Sequence, residues 1–114
     1  MYSKELVKGT LQTLILQQLA DNGKMYGYEL TQRVKEISEG KLTLTEGALY
    51  PTLHKLTAQG YLTVEKKQTG GRIRKYYRLT SAGRTLAFRK TNEFKGFAET
   101  MLKILNIKPS VTKK

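Results

Sequence analysis

The sequence contains no cysteine and no tryptophan, and only two prolines and one histidine among its 114 residues. Without cysteine, disulfides and thiolate metal sites are excluded, a composition that suits a reducing cytoplasm. The sequence has no run of about 18 apolar residues and no apolar signal core at its N-terminus. We therefore expect a cytoplasmic protein with no membrane span, and nothing in the sequence calls for a cofactor.

Acidic residues are also scarce, nine against 21 lysines and arginines, which leaves a formal charge of +12. Such an excess indicates a polyanionic partner. Nucleic acid is favoured over an anionic membrane, because no segment is both lysine-faced and bulky-apolar enough to lie in a bilayer. A generic solubilising charge is the alternative. The acids lie singly, without a metal-ligand cluster or a phosphate loop, so the pattern does not indicate an enzyme.

The segment from Thr45 to Gly60 is the centre of the predicted organisation. Leu49, Leu53 and Leu56 recur at i, i+4 and i+7, which predicts one apolar stripe on a short helix. Thr45 can accept a hydrogen bond from an N–H of the first turn, and Gly60 can end the helix in a left-handed conformation.

The opposite side of this predicted helix carries small residues, an aromatic hydroxyl, an imidazole and a lysine. Small residues allow close approach to another surface, and the longer side chains could then reach phosphates and base edges in a DNA major groove. An ordinary solvated face is the alternative. The residues of this segment that we expect to contact DNA are Thr45, Gly47, Ala48, Tyr50, Pro51, His54 and Lys55.

Pro51 disturbs the helical pattern, because proline lacks an N–H and its ring clashes with the carbonyl four residues back. The helix is therefore either bent at Pro51 or properly wound only from Pro51 onward. We take Glu46 as its start.

Two helices are predicted before this segment. Leu6–Asn22 has apolar residues at helical spacing and ends at Gly23. A second helix places Leu30, Val34 and Ile37 on one face, with Gly40 just past its end. Three helices with short connections meet the requirement of a helix-turn-helix, and 42–44 is predicted as a short edge strand between the second and third.

After Gly60 the apolar period changes from 3.6 to 2, which predicts two strands, Tyr61–Lys67 and Arg72–Thr80. Gly70 and Gly71 between them supply the positive φ angles of a hairpin tip. The result is a two-stranded wing. Its predicted inward-facing side chains are Leu62, Val64, Ile73, Tyr77 and Leu79.

The wing concentrates positive charge, with six cations and one acid between Tyr61 and Thr80. Solvated strands commonly carry lysines, but arginines beside a glycine tip form a protrusion able to enter a minor groove or clamp phosphates. The wing residues that we expect to contact DNA are Gly70, Gly71, Arg72, Arg74 and Lys75.

A last helix, capped by Thr80, is predicted from Ser81 to about Leu105. Its first part should offer Ala82, Leu86 and Phe88 to the winged domain.

The second part of this helix carries apolar residues at near-heptad spacing, which a domain this small has little left to cover. A second copy of the chain is the predicted cover, in a two-fold dimer, and packing back onto its own domain is the alternative. Gly96 in mid-helix suggests a kink or the close approach of another backbone. The residues predicted to form the dimer and an effector pocket are Leu11, Ile15, Phe94, Phe97, Met101 and Leu105.

The predicted fold is mainly α with a small β-hairpin. Residues 1–80 would form a winged helix-turn-helix domain, 81–107 a C-terminal dimerisation helix, and 108–114 a basic tail.

Three segments together resemble the PadR family of winged-helix transcriptional regulators: KGTLQTLILQQLADNGKMYGYEL, LTEGALYPTLHKLTAQGYL and GGRIRKYYRLTSAG. The resemblance covers residues 8 to 83. It implies a homodimeric repressor of a dyad-symmetric operator on double-stranded DNA, released by a small molecule. The single C-terminal helix is similar to the smaller subclass, some of whose members respond to aromatic or cationic drugs at the dimer interface.

Two features of the sequence depart from the family pattern. Tyr26 stands where many members carry histidine, and the last helix has no tryptophan, so an aromatic effector would stack on Phe94 or Phe97. Two other functions remain as alternatives, a winged-helix module that docks proteins and a protein that binds nucleic acid without sequence preference.

Overall fold

The computed structural model describes residues 2–108 and contains four helices and three strands in that range. Their order is α1 Lys4–Asn22, β1 Lys24–Tyr26, α2 Gly27–Ile37, α3 Glu46–Ala58, β2 Leu62–Thr69, β3 Arg72–Leu79 and α4 Ser81–Ile104. This arrangement confirms the predicted winged helix-turn-helix with a long C-terminal helix. Apart from Lys108, the predicted basic tail lies outside the described residues.

The first helix begins two residues earlier than predicted because Ser3 caps it. Ser3 Oγ accepts a hydrogen bond from the Leu6 N–H at 3.3 Å, which satisfies one of the free donors of the first turn. At the other end Gly23 has φ +83° and its N–H donates to the Leu19 carbonyl. Glycine adopts this conformation without steric cost, so the chain turns directly from α1 into β1.

The sheet has three antiparallel strands in the order β1-β3-β2, so β3 is central. The β2–β3 hairpin pairs Leu62 with Leu79 at its base and Thr69 with Arg72 at its tip. The third strand, β1, was not predicted, and it pairs Lys24–Tyr26 with the C-terminal half of β3. The wing is therefore anchored to the domain by main-chain pairing on the side that faces α2.

The predicted edge strand at 42–44 is wrong, because this segment forms a loop. Its main chain bonds to a side chain instead of a neighbouring strand: Ser38 Oγ accepts from the Leu42 N–H at 3.0 Å and donates to the Leu42 carbonyl at 3.3 Å. Leu44 is buried in the core. The loop between α2 and α3 is thus attached to the core by Leu44, with Leu42 packed partly against it.

The core lies between the helices and the inner face of the sheet, and the three leucines of α3 are completely buried in it, as predicted. From the sheet, Tyr77 and Leu79 of β3, Leu62 of β2 and Met25 of β1 complete this cluster. Burial of a leucine side chain contributes about 1.5–3 kcal/mol, so these residues fix how the wing and α3 sit relative to each other.

The alternation predicted for the wing gives the correct face but overestimates its burial. Val64 and Ile73 lie on the same side as Tyr77, yet they are 42% and 66% exposed. The hairpin extends past the core, so only its base is covered. Ile37 is also exposed, because it lies in the last turn of α2 beyond the buried Leu30 and Val34.

The α4 helix is capped as predicted, with Thr80 Oγ1 accepting from the Gly83 N–H at 3.0 Å. The residues predicted to face the domain are wrong in two cases, because Ala82 and Phe88 are exposed. Gly83 and Ala87 are buried together with Leu86. A Cβ atom on Gly83 would collide with the carbonyl oxygen of Tyr61, and the missing side chain lets α4 approach the start of the wing.

Beyond this junction α4 packs along α1. Thr91 Oγ1 donates to Gln17 Oε1 at 2.9 Å, and this contact joins the middle of α4 to the C-terminal third of α1.

Candidate nucleic-acid interface

The third helix presents the face that the sequence predicted. The Ala48 N–H donates to Thr45 Oγ1 at 3.2 Å, and at the other end Gly60 has φ +87°. With its leucine stripe buried, the opposite side is free. Five of the seven predicted contact residues on this segment are exposed, namely Thr45, Gly47, Pro51, His54 and Lys55, while Ala48 and Tyr50 are half-buried.

Pro51 lies inside a helix that is wound from Glu46, so the alternative of a helix beginning only at Pro51 is wrong. The proline cannot donate to the Gly47 carbonyl four residues earlier. Gly47 is exposed, and nothing lies within 4 Å of where its Cβ would be. The helix nevertheless continues from Glu46 to Ala58, with Gly47 on its exposed side.

Tyr50 lies at the side of α3 that faces α2 and the sheet. A Cβ atom on Gly27 would collide with the hydroxyl end of Tyr50, so this ring packs directly against the first turn of α2. Its centroid is 6.4 Å from that of His54. Burial, with a smaller contribution from Tyr50, raises the pKa of Tyr77. The ring of Tyr50 is thus held by packing, and His54 is the freer of the two side chains.

The wing tip is a two-residue turn. Gly70 and Gly71 have φ +56° and +82° between the paired residues Thr69 and Arg72. Two consecutive positive φ angles match the twist of an antiparallel hairpin, and glycine adopts them freely. The turn directs Arg72 away from the core at the end of the wing.

Arg74 is held against an aromatic ring. Its guanidinium carbon lies 4.4 Å from the ring centroid of Tyr26, and Tyr26 in turn meets Tyr76 edge to face, with centroids 5.3 Å apart. A guanidinium over an aromatic face is attracted by the ring quadrupole, by about 0.5–1 kcal/mol at an exposed site. The position occupied by Tyr26 therefore orients a predicted DNA-contact arginine.

Lysines surround the same aromatic pair. Lys24 and Lys67 lie 5.6 Å and 6.0 Å from the Tyr76 centroid, and Lys24 Nζ bonds to Glu65 at 3.3 Å. The hydrogen bond and charge of Lys24 lower the pKa of Glu65. The outer face of the sheet is thus cationic except at Glu65. The sequence singled out Tyr26 without giving it a role, and it did not indicate Lys24 or Tyr76, whose only signal was the alternation of cations with tyrosines.

An open cleft of about 760 Å³ separates α3 from the wing. The start of α2 closes one end of it, at Tyr26, Gly27 and Tyr28. Glu46 is the single carboxylate among the described residues that line it. The structure brings five predicted DNA-contact residues together around this cleft, namely Tyr50, His54, Arg72, Arg74 and Lys75.

The residues predicted for the dimer and effector pocket fall into two groups. Leu11 and Ile15 are buried in the core of the single chain, so they offer little or no surface to a second copy. Phe94, Phe97 and Leu105 are exposed, at 44%, 58% and 56%, and Met101 is half-buried.

Within residues 2–108, no helix is both long and apolar enough to cross a membrane. The same residues contain no group of three histidine, cysteine or acidic side chains placed to hold a metal ion.

The fold and the cleft between helix and wing define a winged helix-turn-helix protein of the transcription-regulator class. The model of the transcriptional regulator PadR-like family matches residues 15–88, and this chain belongs to that family.

Relatives and solved structures agree with this assignment. The chain is 41% identical to transcriptional regulator Rv3488 of Mycobacterium tuberculosis over 81 residues, 71% of this chain and 72% of the relative. A transcriptional regulator from Clostridium thermocellum superposes with a TM-score of 0.81 at 25% identity, over 90% of this chain and 97% of that one. A PadR family regulator from Eggerthella lenta gives 0.74 at 32% identity, over 89% and 86%.

Proposed function

We propose that this protein is a sequence-specific DNA-binding repressor that acts in the cytoplasm as a homodimer on a dyad-symmetric operator. The observation that carries the proposal is the cleft between α3 and the wing. The free face of α3 and three wing cations border one open space, and Glu46 is the one carboxylate that residues 2–108 contribute to its lining. A convex helix beside a cationic hairpin matches the two grooves and the phosphates of a duplex.

In this mechanism the wing supplies affinity and α3 supplies choice of sequence. Arg72, Arg74 and Lys75 neutralise phosphates and release counterions, so their contribution weakens as salt rises. Gly47 and Pro51 carry no long side chain, which lets the helix backbone enter the major groove closely. His54, which is exposed, would then reach base edges, and the hydroxyl of Tyr50 would do so from the rim of the cleft, beside Gly27.

The proposed dimer rests on the apolar residues that α4 leaves uncovered. Phe94, Phe97 and Leu105 are exposed on one chain, and an unpartnered stripe of this kind usually marks an interface. Burial of this stripe against the same stripe of a second copy would form an isologous two-fold contact. The two α3 helices would then address half-sites about one helical turn, 34–36 Å, apart.

Release by an effector is the last part of the proposal. An aromatic small molecule would bind at the dimer interface beside Phe94 and Phe97, where ring stacking is available. Its binding would favour a different angle between the two α3 helices, one that no longer fits the operator spacing.

Fluorescence anisotropy with labelled fragments of the source genome tests the function directly. We expect one or a few fragments, with dyad symmetry, to bind at least tenfold more tightly than random duplex at the same salt. Equal binding to all fragments would assign the chain as a non-specific nucleic-acid-binding protein, and no binding at low salt would leave a protein-docking module.

Sedimentation of the wild type and of Phe97→Glu tests the dimer. We expect a dimer for the wild type and a monomer for F97E, because the new carboxylate would be buried without a partner. Lys103→Glu changes the charge of α4 by more than F97E does, away from Phe97, and should leave the dimer intact. A monomeric wild type would remove the proposed half-site spacing. Titration of the operator-bound dimer with aromatic compounds, with no change in affinity, would contradict the proposed effector.

A further inference from the structure

A second basic cleft lies on the other flank of α3. It is formed where α1, α3 and α4 meet and has a volume of about 410 Å³. Each of the three helices contributes one lysine, Lys8 from α1, Lys55 from α3 and Lys90 from α4. None of the described residues that line it is acidic, so the cleft is bordered by three lysines and no carboxylate among them.

We propose that this cleft binds backbone phosphates of the DNA strand on the side of α3 opposite the wing. The inference rests on the proposed function and adds Lys8 and Lys90 to its contact residues. Gln12 and Thr13, both half-buried, add polar side chains beside the lysines.

The geometry of α3 relates the two clefts. Tyr50 lines the cleft at the wing, and Lys55 lines the cleft at α1 and α4. At 3.6 residues per turn, five positions separate these side chains by about 140° around the helix axis. His54 and the exposed Pro51 lie between them. The free face of α3 is therefore flanked on both sides by positively charged clefts.

A duplex requires this arrangement of charge. A helix in the major groove, about 12 Å wide, has one sugar-phosphate backbone on each side. The wing arginines can reach only one of the two. Without Lys8 and Lys90, the other backbone would face α1 and the middle of α4 with Lys55 as its predicted cation. The lysines of three different helices supply that charge. Because the lysines come from separate helices, the cleft exists only when α1, α3 and α4 are packed together.

The position of Lys90 gives the cleft a further property. Lys90 precedes by one residue Thr91, whose hydroxyl bonds to Gln17 of α1. The same helix carries the exposed phenylalanines four and seven residues later. The segment of α4 that carries Lys90 is thus held against α1, and the cleft would connect the DNA to the helix proposed for dimerisation.

The test compares the salt dependence of DNA binding in matched lysine variants. Lys8→Gln together with Lys90→Gln should flatten the slope of log K against log salt by about one to two units, at about 0.9 per phosphate contact. Operator and random duplex should lose the same amount, because backbone contacts carry no sequence information. Lys103→Gln, an exposed α4 lysine outside the cleft, should leave the slope unchanged when measured beside them. Circular dichroism melting confirms that each variant is folded.

Three outcomes decide the result. If K8Q/K90Q keeps the wild-type slope while Arg72→Ala/Arg74→Ala flattens it, the second cleft does not bind DNA phosphates, and the proposed DNA-binding function is retained. If no variant and no wild type binds duplex, the proposed function itself fails. The third experiment is an NMR titration with inorganic phosphate. If phosphate shifts the amide resonances of Gln12 and Thr13 while K8Q/K90Q keeps the wild-type salt slope of DNA binding, the cleft binds a free anion. The proposal that it binds DNA would then be overturned.

Discussion

The guanidinium of Arg74 is stacked on the ring of Tyr26, with its central carbon 4.4 Å from the ring centroid. Tyr26 is the last residue of β1 and precedes the first turn of α2, where its N–H donates to Glu29 at 3.0 Å. The stack therefore joins the wing to the helix-turn-helix through a residue that main-chain bonds already hold. An arginine restrained in this way loses less side-chain entropy when it meets a phosphate.

Replacement of Tyr26 should weaken DNA binding through Arg74. We expect Tyr26→Leu to lower affinity by about two- to fivefold, corresponding to a coupling of about 0.5–1 kcal/mol, and Tyr26→Phe to retain wild-type affinity because the ring remains. In an Arg74→Ala background, Y26L should have no further effect. Anisotropy titrations of the four proteins give the coupling, and additive losses would show that Tyr26 contacts DNA independently of Arg74.

Removal of the Tyr50 hydroxyl should affect operator and random DNA differently. Tyr50→Phe keeps the half-buried ring on α3 and removes only the group able to bond to a base edge. We expect about tenfold weaker binding to the operator, within the 1–3 kcal/mol of a good base contact, and unchanged binding to random duplex. Competition titrations with both DNAs measure the ratio. An equal loss on both would mean that Tyr50 positions α3 and does not read bases.

Two glycines of α4 should respond in opposite directions to alanine. Gly83→Ala would place a methyl group against the Tyr61 carbonyl oxygen, and we expect a loss of about 1–3 kcal/mol, since main-chain atoms at this junction must move. Gly96→Ala meets nothing within 4 Å and should gain up to about 1 kcal/mol from helix propensity. Urea unfolding measures both.

The Gly96→Ala variant also tests whether another backbone approaches Gly96. Gly96 lies about 160° around α4 from Phe94, away from the proposed dimer stripe, so G96A should also leave sedimentation unchanged. A weaker dimer in G96A would instead indicate that another backbone approaches this glycine.

The stability of the fold should fall at alkaline pH because of Tyr77. Burial raises the pKa of this phenol above its ordinary value of 10.0, so the folded state keeps the proton that the unfolded chain releases. The stabilising contribution is fully present below pH 10 and is lost as pH rises through the raised pKa. Tyr77→Phe cannot ionise, and the difference in unfolding free energy between it and wild type should therefore change above about pH 10. A pH-independent difference would contradict this reading.

Local patterns in the sequence predicted the elements that depend on neighbours along the chain. The caps Thr45 and Thr80 act through hydrogen bonds three residues away, and the Gly70-Gly71 tip requires only its own φ angles. The leucine stripe of α3 follows from helix periodicity alone. These features are encoded within a few residues, so a single sequence is enough to recognise them.

The misplaced elements depend on contacts between distant segments. The strand β1 is three residues long, too short to show alternation, and exists because β3 offers it a partner. Gly83 is buried by the approach of the Tyr61 carbonyl, which hydrophobicity cannot reveal. Val64 and Ile73 have the apolar character of core residues, but the hairpin is longer than the core is wide.

By itself, the sequence determined the class of fold, the boundaries of α3, the wing tip and the excess of cations that calls for a polyanion. Only the tertiary structure decided which cations act together, because Tyr26 meets Arg74 across 48 positions of the chain and Lys8, Lys55 and Lys90 converge from three helices. Helical and strand periods are set by backbone geometry within a segment. The separation of charges across a surface is set by how segments pack, and that information lies in the folded chain.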